Sequence, residues 1–238
     1  MILVIKHVES EGPGTIESFF SKEGFNLRTI ELYKNDVFPD DLSHIEAVIV
    51  MGGPMNVYEE DKYPFLKAED LFIKKVLKEE IPFLGICLGS QLLAKAGGAA
   101  VTKAPKQEIG WFKAALTSNG KTDPLFKNMS QEFDVFQWHN DTFEIPKGGK
   151  HLATSKDCPN QAFKAGVNAY GLQFHIEVTD CIIKDWTHEH YMVPHGKLRS
   201  EAQDMLEYYP KVKNQFNKQA DIIYRNFLAI MSKNKVAA

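Results

Sequence analysis

Three stretches of this sequence are apolar almost without interruption: residues 2–8, broken by Lys6 and His7, residues 47–51, and residues 82–87. Continuous apolar runs of this length are the pattern of strands buried on both faces, as in a parallel sheet. Residues 25–32 alternate imperfectly and predict a further strand. Between these runs the period changes. Phe65, Ala68, Phe72, Val76 and Leu77 recur at helical spacing with Lys and Glu between them. Residues 64–80 therefore predict an amphipathic helix, with Pro64 suited to its first turn. Residues 15–20 and 88–96 predict shorter helices, the second stopped by Gly97-Gly98. The order strand, helix, strand, helix predicts an α/β fold with a mostly parallel central sheet flanked by helices.

Beyond Gly98 the pattern breaks into short strand-like pieces at 113–117, 133–138, 151–154, 161–163 and 170–178. From Asp180 it turns helical. Residues 200–209 and 212–230 predict two helices, the second with Phe216, Ala220, Ile223 and Phe227 on one face. The expectation is one α/β domain over residues 1–178, with a C-terminal helical extension, 179–238, packed on it.

Composition narrows the class of protein. The hydrophobic fraction is 44% and the charged fraction 25%, both near globular averages. With 28 basic and 31 acidic residues the net charge is −3, so no basic face for nucleic acid is expected. The longest uncharged stretch, residues 81–94, contains Ser90 and Gln91 and is too short to span a bilayer. The first residues lack the basic lead and cleavage site of a signal peptide. Three cysteines are too few, and odd in number, for a disulfide framework. A cytoplasmic protein with neither membrane nor nucleic-acid partner is expected, and the sequence carries no signal for its oligomeric state.

The chemistry begins at Gly85-Ile86-Cys87-Leu88-Gly89, between a buried strand and a helix. Small residues on both sides permit a tight strand-to-helix turn that lifts the middle residue above the sheet. A thiol there sits at a helix N-terminus, which favours thiolate, and the next N–H, that of Leu88, faces a developing oxyanion. Alone, Cys87 reads equally well as a small buried core thiol. A nucleophile needs a base and the base needs an orienting group. His175 and Glu177, two apart on an extended segment, share a face. By themselves they would be a polar strand surface. Gly52-Gly53-Pro54 ends another buried strand. There the backbone can approach a ligand closely and present an N–H, a second oxyanion donor beside Leu88, although alone the segment reads as an ordinary strand-to-loop turn.

These three pieces, in this order, resemble the class I glutamine amidotransferase family. Within it, they are most similar to stand-alone proteins likened to the amidotransferase domain of GMP synthase. The likeness is carried by Gly52-Gly53-Pro54, by the block Gly85-Ile86-Cys87-Leu88-Gly89-Ser90-Gln91, by His175-Ile176-Glu177, and by the stretch Phe136 to Phe143. It implies the family's flavodoxin-like fold. It also implies that Cys87 attacks the side-chain amide of glutamine, that His175 is base and then acid, and that Glu177 orients it. Gly53 and Leu88 hold the oxyanion, Gly52 and Gln91 help hold substrate, and Trp138, His139 and Asn140 lie along the substrate's amino-acid end. The intermediate is a γ-glutamyl thioester. No cofactor and no metal are implied, and a synthetase partner would consume the ammonia. Two positions depart from the family: Ile176 stands where proline is usual, and Asn140 where glycine is usual.

Three functional classes follow: a glutaminase or amidotransferase, a γ-glutamyl peptide hydrolase with the same triad, and a non-catalytic binding or regulatory subunit. An intact Cys87, His175 and Glu177 speaks against the last. Cys158 and Cys181 read as structural or incidental. His188, Glu189 and His190, with His195, read as a solvated helical face, because His188 and His190 diverge on a helix. Gly12-Pro13-Gly14 reads as a turn. His7 and Glu9 fall at the carboxyl edge of the sheet, where α/β folds bind ligands, although a capped loop is the simpler reading. Trp111, Phe112 and Trp138 read as core or pocket wall.

Overall fold

The computed structural model describes residues 1–193 and 197–237, the side chains of 192–198 and 234–237 excepted. In chain order the elements are β1 (Ile2–Lys6), α1 (Thr15–Lys22), β2 (Leu27–Glu31), β3 (Ala47–Val50), α2 (Phe65–Lys78), β4 (Phe83–Ile86), α3 (Leu88–Ala96), β5 (Val101–Leu116), α4 (Ser118–Thr122), β6 (Glu132–Phe143), β7 (Lys150–Thr154), β8 (Ala162–Ala165), β9 (Ala169–Leu172), α5 (Asp180–Tyr191), β10 (Met192–Val193), β11 (Lys197–Leu198) and α6 (Ser200–Ala237). A nine-stranded sheet runs β2-β1-β3-β4-β9-β8-β7-β5-β6. It is parallel from β2 to β9 and antiparallel from β9 to β6. The fold is thus mixed α/β, with the parallel half carrying the apolar runs that predicted it.

Those runs are continuous because both faces of the sheet are covered. Ile2 and Val4 point to one face and pack with Ile16, Phe20, Ile223 and Phe227 of α1 and α6. Leu3 and Ile5 point to the other and pack with Leu66, Ile73, Val76 and Leu93 of α2 and α3. A third cluster joins Phe136 of β6 to Ile183 and Trp186 of α5 and to Tyr209 and Phe216 of α6. It fixes α5 over one end of the sheet. The helical segment after residue 178 therefore shares the core of the α/β sheet. Trp111 stacks on Tyr209, ring centroids 5.6 Å apart, and Phe112 packs against the first cluster.

Three expectations need correction. Residues 200–209 and 212–230 are not two helices. Pro210 lies inside one continuous helix, α6. Proline removes one intrahelical hydrogen bond, but Tyr209, Phe216, Ala220 and Ile223 bury a common face on either side of it. The pieces at 113–117 and 133–138 are the inner parts of a much longer hairpin, β5–β6. Its outer portion is polar and exposed at Thr102, Lys103 and Gln107, so no apolar pattern announces it. The strand expected over 170–178 ends at Leu172. The chain then leaves the sheet, with the Gln173 N–H still donating to Gln161 O at 2.9 Å and a single bridge joining His175 to Phe136 among the described residues.

Candidate active site

The carboxyl ends of β1, β3 and β4 meet at one edge of the parallel sheet, where open α/β folds place ligands. Cys87 sits there between β4 and α3 with φ 51° and ψ −108°, a left-handed conformation that costs a non-glycine residue energy and marks a held position. The flanking glycines explain how it is held. A Cβ on Gly85 would lie 2.4 Å from the Gly89 carbonyl oxygen, and one on Gly89 would lie 2.2 Å from the Val50 carbonyl oxygen. Only bare backbone lets the first turn of α3 seat this deeply on β3 and β4. The Cys87 N–H donates to Leu172 O (2.8 Å), and its carbonyl accepts from the Ser90 N–H (3.0 Å). The Leu88 N–H begins α3 and has no backbone acceptor among the described residues.

His175 is buried, and its N–H donates to Phe136 O at 2.8 Å. The ring Nδ1 donates to Glu177 Oε1 at 2.6 Å, and the ring lines the same cavity as Cys87, whose Sγ donates to Trp138 O at 3.8 Å. Burial opposes a charge on this imidazole, but the neighbouring Glu177 and Cys87 side chains outweigh it and hold its pKa well above the ordinary histidine value. Trp186 meets the ring edge-on, 4.8 Å between centroids. Glu177 Oε2 accepts from the Ile176 N–H at 2.9 Å. A proline at 176 could not make that bond, so the departure at this position adds a hold on the carboxylate. The Glu177 carbonyl accepts from the Thr15 N–H at 3.0 Å. A Cβ on Gly14 would fall 2.1 Å from the same oxygen. The turn 12–14 is therefore the seat of the His175–Glu177 segment.

A cavity of about 410 Å³ is lined by Gly53, Cys87, Gln91, Trp138, His139, Asn140 and His175, with Glu11, Asp141, Glu189, His190, Tyr191 and Arg199 on its further walls. Its size is that of small-molecule sites. Gln91 is buried and donates to Asp141 O (3.1 Å) and Gln173 Oε1 (3.2 Å); the Gln173 amide in turn reaches Cys87 Sγ at 3.9 Å. Trp138 forms an aromatic wall with Trp186, His190 and Tyr191. The His139 ring turns away to Glu108 Oε2 (2.9 Å) and Asp141 O (3.0 Å). Asn140 is exposed at the rim and bonds Gln107. Gly52 lies behind the lining, its carbonyl accepting from His7. His188, Glu189 and His190 are all exposed, as the solvated-face reading of α5 has it; Glu189 and His190 also reach the rim of the cavity because α5 lies across its edge. His195 is outside the described residues.

Two acidic residues escaped the sequence reading. Glu11 is half-buried on the cavity wall, so close to Gly52 that a Cβ there would strike its Oε2. Burial pushes its carboxyl up to about 7, against the pull of His175 and His7. Glu69 is fully buried and meets His7 Nε2 at 3.0 Å through both oxygens. A signal for Glu69 was present, since it falls on the apolar face of α2 with Leu66, Phe72 and Ile73. A second group of like atoms, from Glu108, His139 and Cys158, lies buried with ligand-type atoms within 4.8 Å of one another. Each is already bonded to protein: Glu108 accepts from Ser155 and Gln161, and Cys158 Sγ bonds Thr142 Oγ1 at 3.2 Å.

An elbow-borne thiol at the end of a parallel strand, beside a histidine held by a carboxylate, defines the class of protein. The chain belongs to the class I glutamine amidotransferase family, whose model matches residues 17–181. It is 32% identical to the glutamine amidotransferase-like protein YfeJ of Salmonella typhimurium over 178 residues, 74% of each chain. It is 33% identical to the glutamine-hydrolyzing GMP synthase of Thermosipho africanus over 79% of this chain but only 35% of that protein. A glutamine amidotransferase of Thermotoga maritima superposes with a TM-score of 0.85 at 37% identity, covering 95% of this chain and 97% of that one. One from Methylobacillus flagellatus superposes with a TM-score of 0.86 at 27% identity, over 96% and 94%. No helix among the described residues is long and apolar enough to cross a membrane.

Proposed function

We propose that this chain hydrolyses the side-chain amide of glutamine through a thioester on Cys87. The observation that carries the reading is the convergence of the Cys87 thiol, the His175–Glu177 pair and the Gly53 backbone on one cavity. In this mechanism His175 takes the thiol proton, and the thiolate adds to the amide carbon. The oxyanion forms against the N–H groups of Gly53 and Leu88. The His175 imidazolium, stabilised by Glu177, then gives its proton to the leaving nitrogen, the C–N bond breaks and ammonia departs. Water, deprotonated by His175, cleaves the thioester to glutamate and restores the thiol. Gly52, Gln91, Trp138, His139 and Asn140 shape the glutamyl end of the site. Residues 1–178 carry this chemistry and 179–238 buttress it. The match to a glutamine-hydrolyzing GMP synthase spans 35% of that protein, and a synthetase partner that consumes the ammonia belongs to the proposal.

A second reading, a γ-glutamyl peptide hydrolase, is favoured by the extent of the cavity beyond the thiol, toward Glu189, His190, Tyr191 and Arg199. The chemistry is the same, with a larger amine leaving. The test is release of ammonia and glutamate from free glutamine, beside a panel of γ-glutamyl peptides. Turnover of glutamine that vanishes in Cys87→Ala supports the first reading. Turnover of the peptides alone supports the second. No turnover of either, with no labelling of Cys87 by an electrophilic glutamine analogue, refutes both.

A further inference from the structure

We infer that the buried pair His7–Glu69 is a positioning device: it locks the Gly52–Gly53 peptide with its N–H turned toward Cys87 and so presets the oxyanion hole. Its catalytic consequence rests on the acyl transfer proposed above; the geometric lock does not.

The Gly52 carbonyl and the Gly53 N–H belong to one planar peptide and point in opposite directions. His7 Nδ1 lies 2.8 Å from Gly52 O. A carbonyl only accepts, so Nδ1 bears a hydrogen. His7 Nε2 lies 3.0 Å from both Glu69 oxygens, and neither side chain has any exposure. The ring is thus held at both ends. With the carbonyl tethered on the His7 side, the Gly53 N–H faces the opposite side, where Gly53 lines the cavity beside Cys87. That N–H has no backbone acceptor among the described residues.

The need for a lock follows from the glycines. A Cβ on Gly52 would lie 2.1 Å from Glu11 Oε2, and one on Gly53 would lie 2.6 Å from Met55 Sδ and 2.8 Å from Leu88 Cδ2. Both positions are glycine, and a Gly-Gly peptide is the one most free to rotate. Stability is a poor alternative explanation for the pair, since a buried ion pair is often no better than apolar packing. Here it replaces apolar packing on the buried face of α2, among Leu66, Phe72 and Ile73. Burial pushes His7 toward its neutral form, but Glu69, the Gly52 carbonyl and Glu11 prevail and raise its pKa.

The test compares two double variants. His7→Leu with Glu69→Leu removes the tether without leaving a buried charge. His7→Asn with Glu69→Gln keeps a side-chain N–H for Gly52 O. In the Leu pair, kcat on the γ-glutamyl substrate falls about 100-fold, the scale of one lost oxyanion donor, with KM little changed. Alkylation of Cys87 by iodoacetamide, a displacement that uses no oxyanion hole, stays within about twofold, on the premise that only the tether has changed. The Asn/Gln pair recovers most of the lost kcat. A crystal structure of the Leu pair then has the 52–53 peptide turned or in two orientations. Unchanged kcat, a parallel loss of alkylation, or an unmoved peptide would overturn the inference. If the unaltered protein turns over no γ-glutamyl substrate, the acyl-transfer reading fails, and the peptide orientation alone judges the lock.

Discussion

Tyr224→Phe isolates the link between α6 and the His175–Glu177 segment. Tyr224 is 2% exposed, and its hydroxyl donates to the Ile176 carbonyl at 3.1 Å while bonding Thr15 Oγ1 at 2.8 Å. Burial pushes that hydroxyl far above its ordinary pKa, so it stays a donor into alkaline solution. Phenylalanine keeps the ring beside Phe19 and Phe20, 5.4 and 6.5 Å between centroids, so no cavity opens. Thr15 also reaches the Glu177 carbonyl at 3.3 Å and retains a partner. The loss reduces to one buried carbonyl left unsatisfied, about 1–2 kcal/mol. Equilibrium urea unfolding with an unchanged slope measures it. Because Ile176 lies between His175 and Glu177, kcat should fall in the same variant, by less than about tenfold, since one hydrogen bond is worth about a kcal/mol. A stability loss below about 0.3 kcal/mol would mean that the carbonyl finds another donor. A loss above about 4 kcal/mol would mean that the ring was not merely trimmed. Either result refutes the reasoning.

Gly89→Ala places a methyl 2.2 Å from Val50 O. It should cost about 1–3 kcal/mol or more and abolish turnover, and an unaltered melting curve would be decisive against the close-approach argument. Glu11→Gln should change the pH dependence of stability in one direction. The carboxyl titrates near 7 in the fold against an ordinary value of 4.5, so the folded protein loses stability as pH rises across that window. The variant should match the unaltered protein below pH 4.5 and exceed it above about 7; a difference independent of pH would contradict the assignment. Cys158→Ala should leave hydrolysis within about twofold, because it removes only a weak S–H contact, whereas Cys87→Ala should leave none; the reverse outcome in the ammonia assay would move the nucleophile to Cys158.

What the sequence made legible follows from which side chains bury on both faces of an element. β1, β3 and β4 could be read directly, because every position of Ile2 to Ile5 and of Ala47 to Val50 is covered by a helix on one face or the other. The hairpin β5–β6 could not, because its outer portion pairs backbone with backbone while exposing Lys103 and Gln107. Cys87 was legible through its glycines, whose requirement is local. Glu11 was not, and Glu69 shows in the sequence only as an acid on the apolar face of α2, because their significance comes from Gly52 and His7, which lie distant in the chain and meet them only in the fold. The turn at Gly14 likewise becomes meaningful only against the Glu177 carbonyl.

The fold contains two sets of cysteine, histidine and glutamate, and residue type alone does not separate them. Access and proton bookkeeping do. In the Cys158 set, burial pushes the thiol up and Thr142 Oγ1 takes its hydrogen bond. His139 has both ring nitrogens committed, to Glu108 and to the Asp141 carbonyl. Glu108 also accepts from Ser155 and Gln161, which ties the hairpin to the loop before β8. Such a network is satisfied as it stands, and moving a proton through it would break bonds that hold the sheet together. In the Cys87 set, histidine spends one nitrogen on Glu177 and offers the rest of its ring to the thiol. The thiol and the ring both line the cavity. Unspent capacity at an accessible wall, rather than the presence of the three residue types, is what favours Cys87 as the nucleophile.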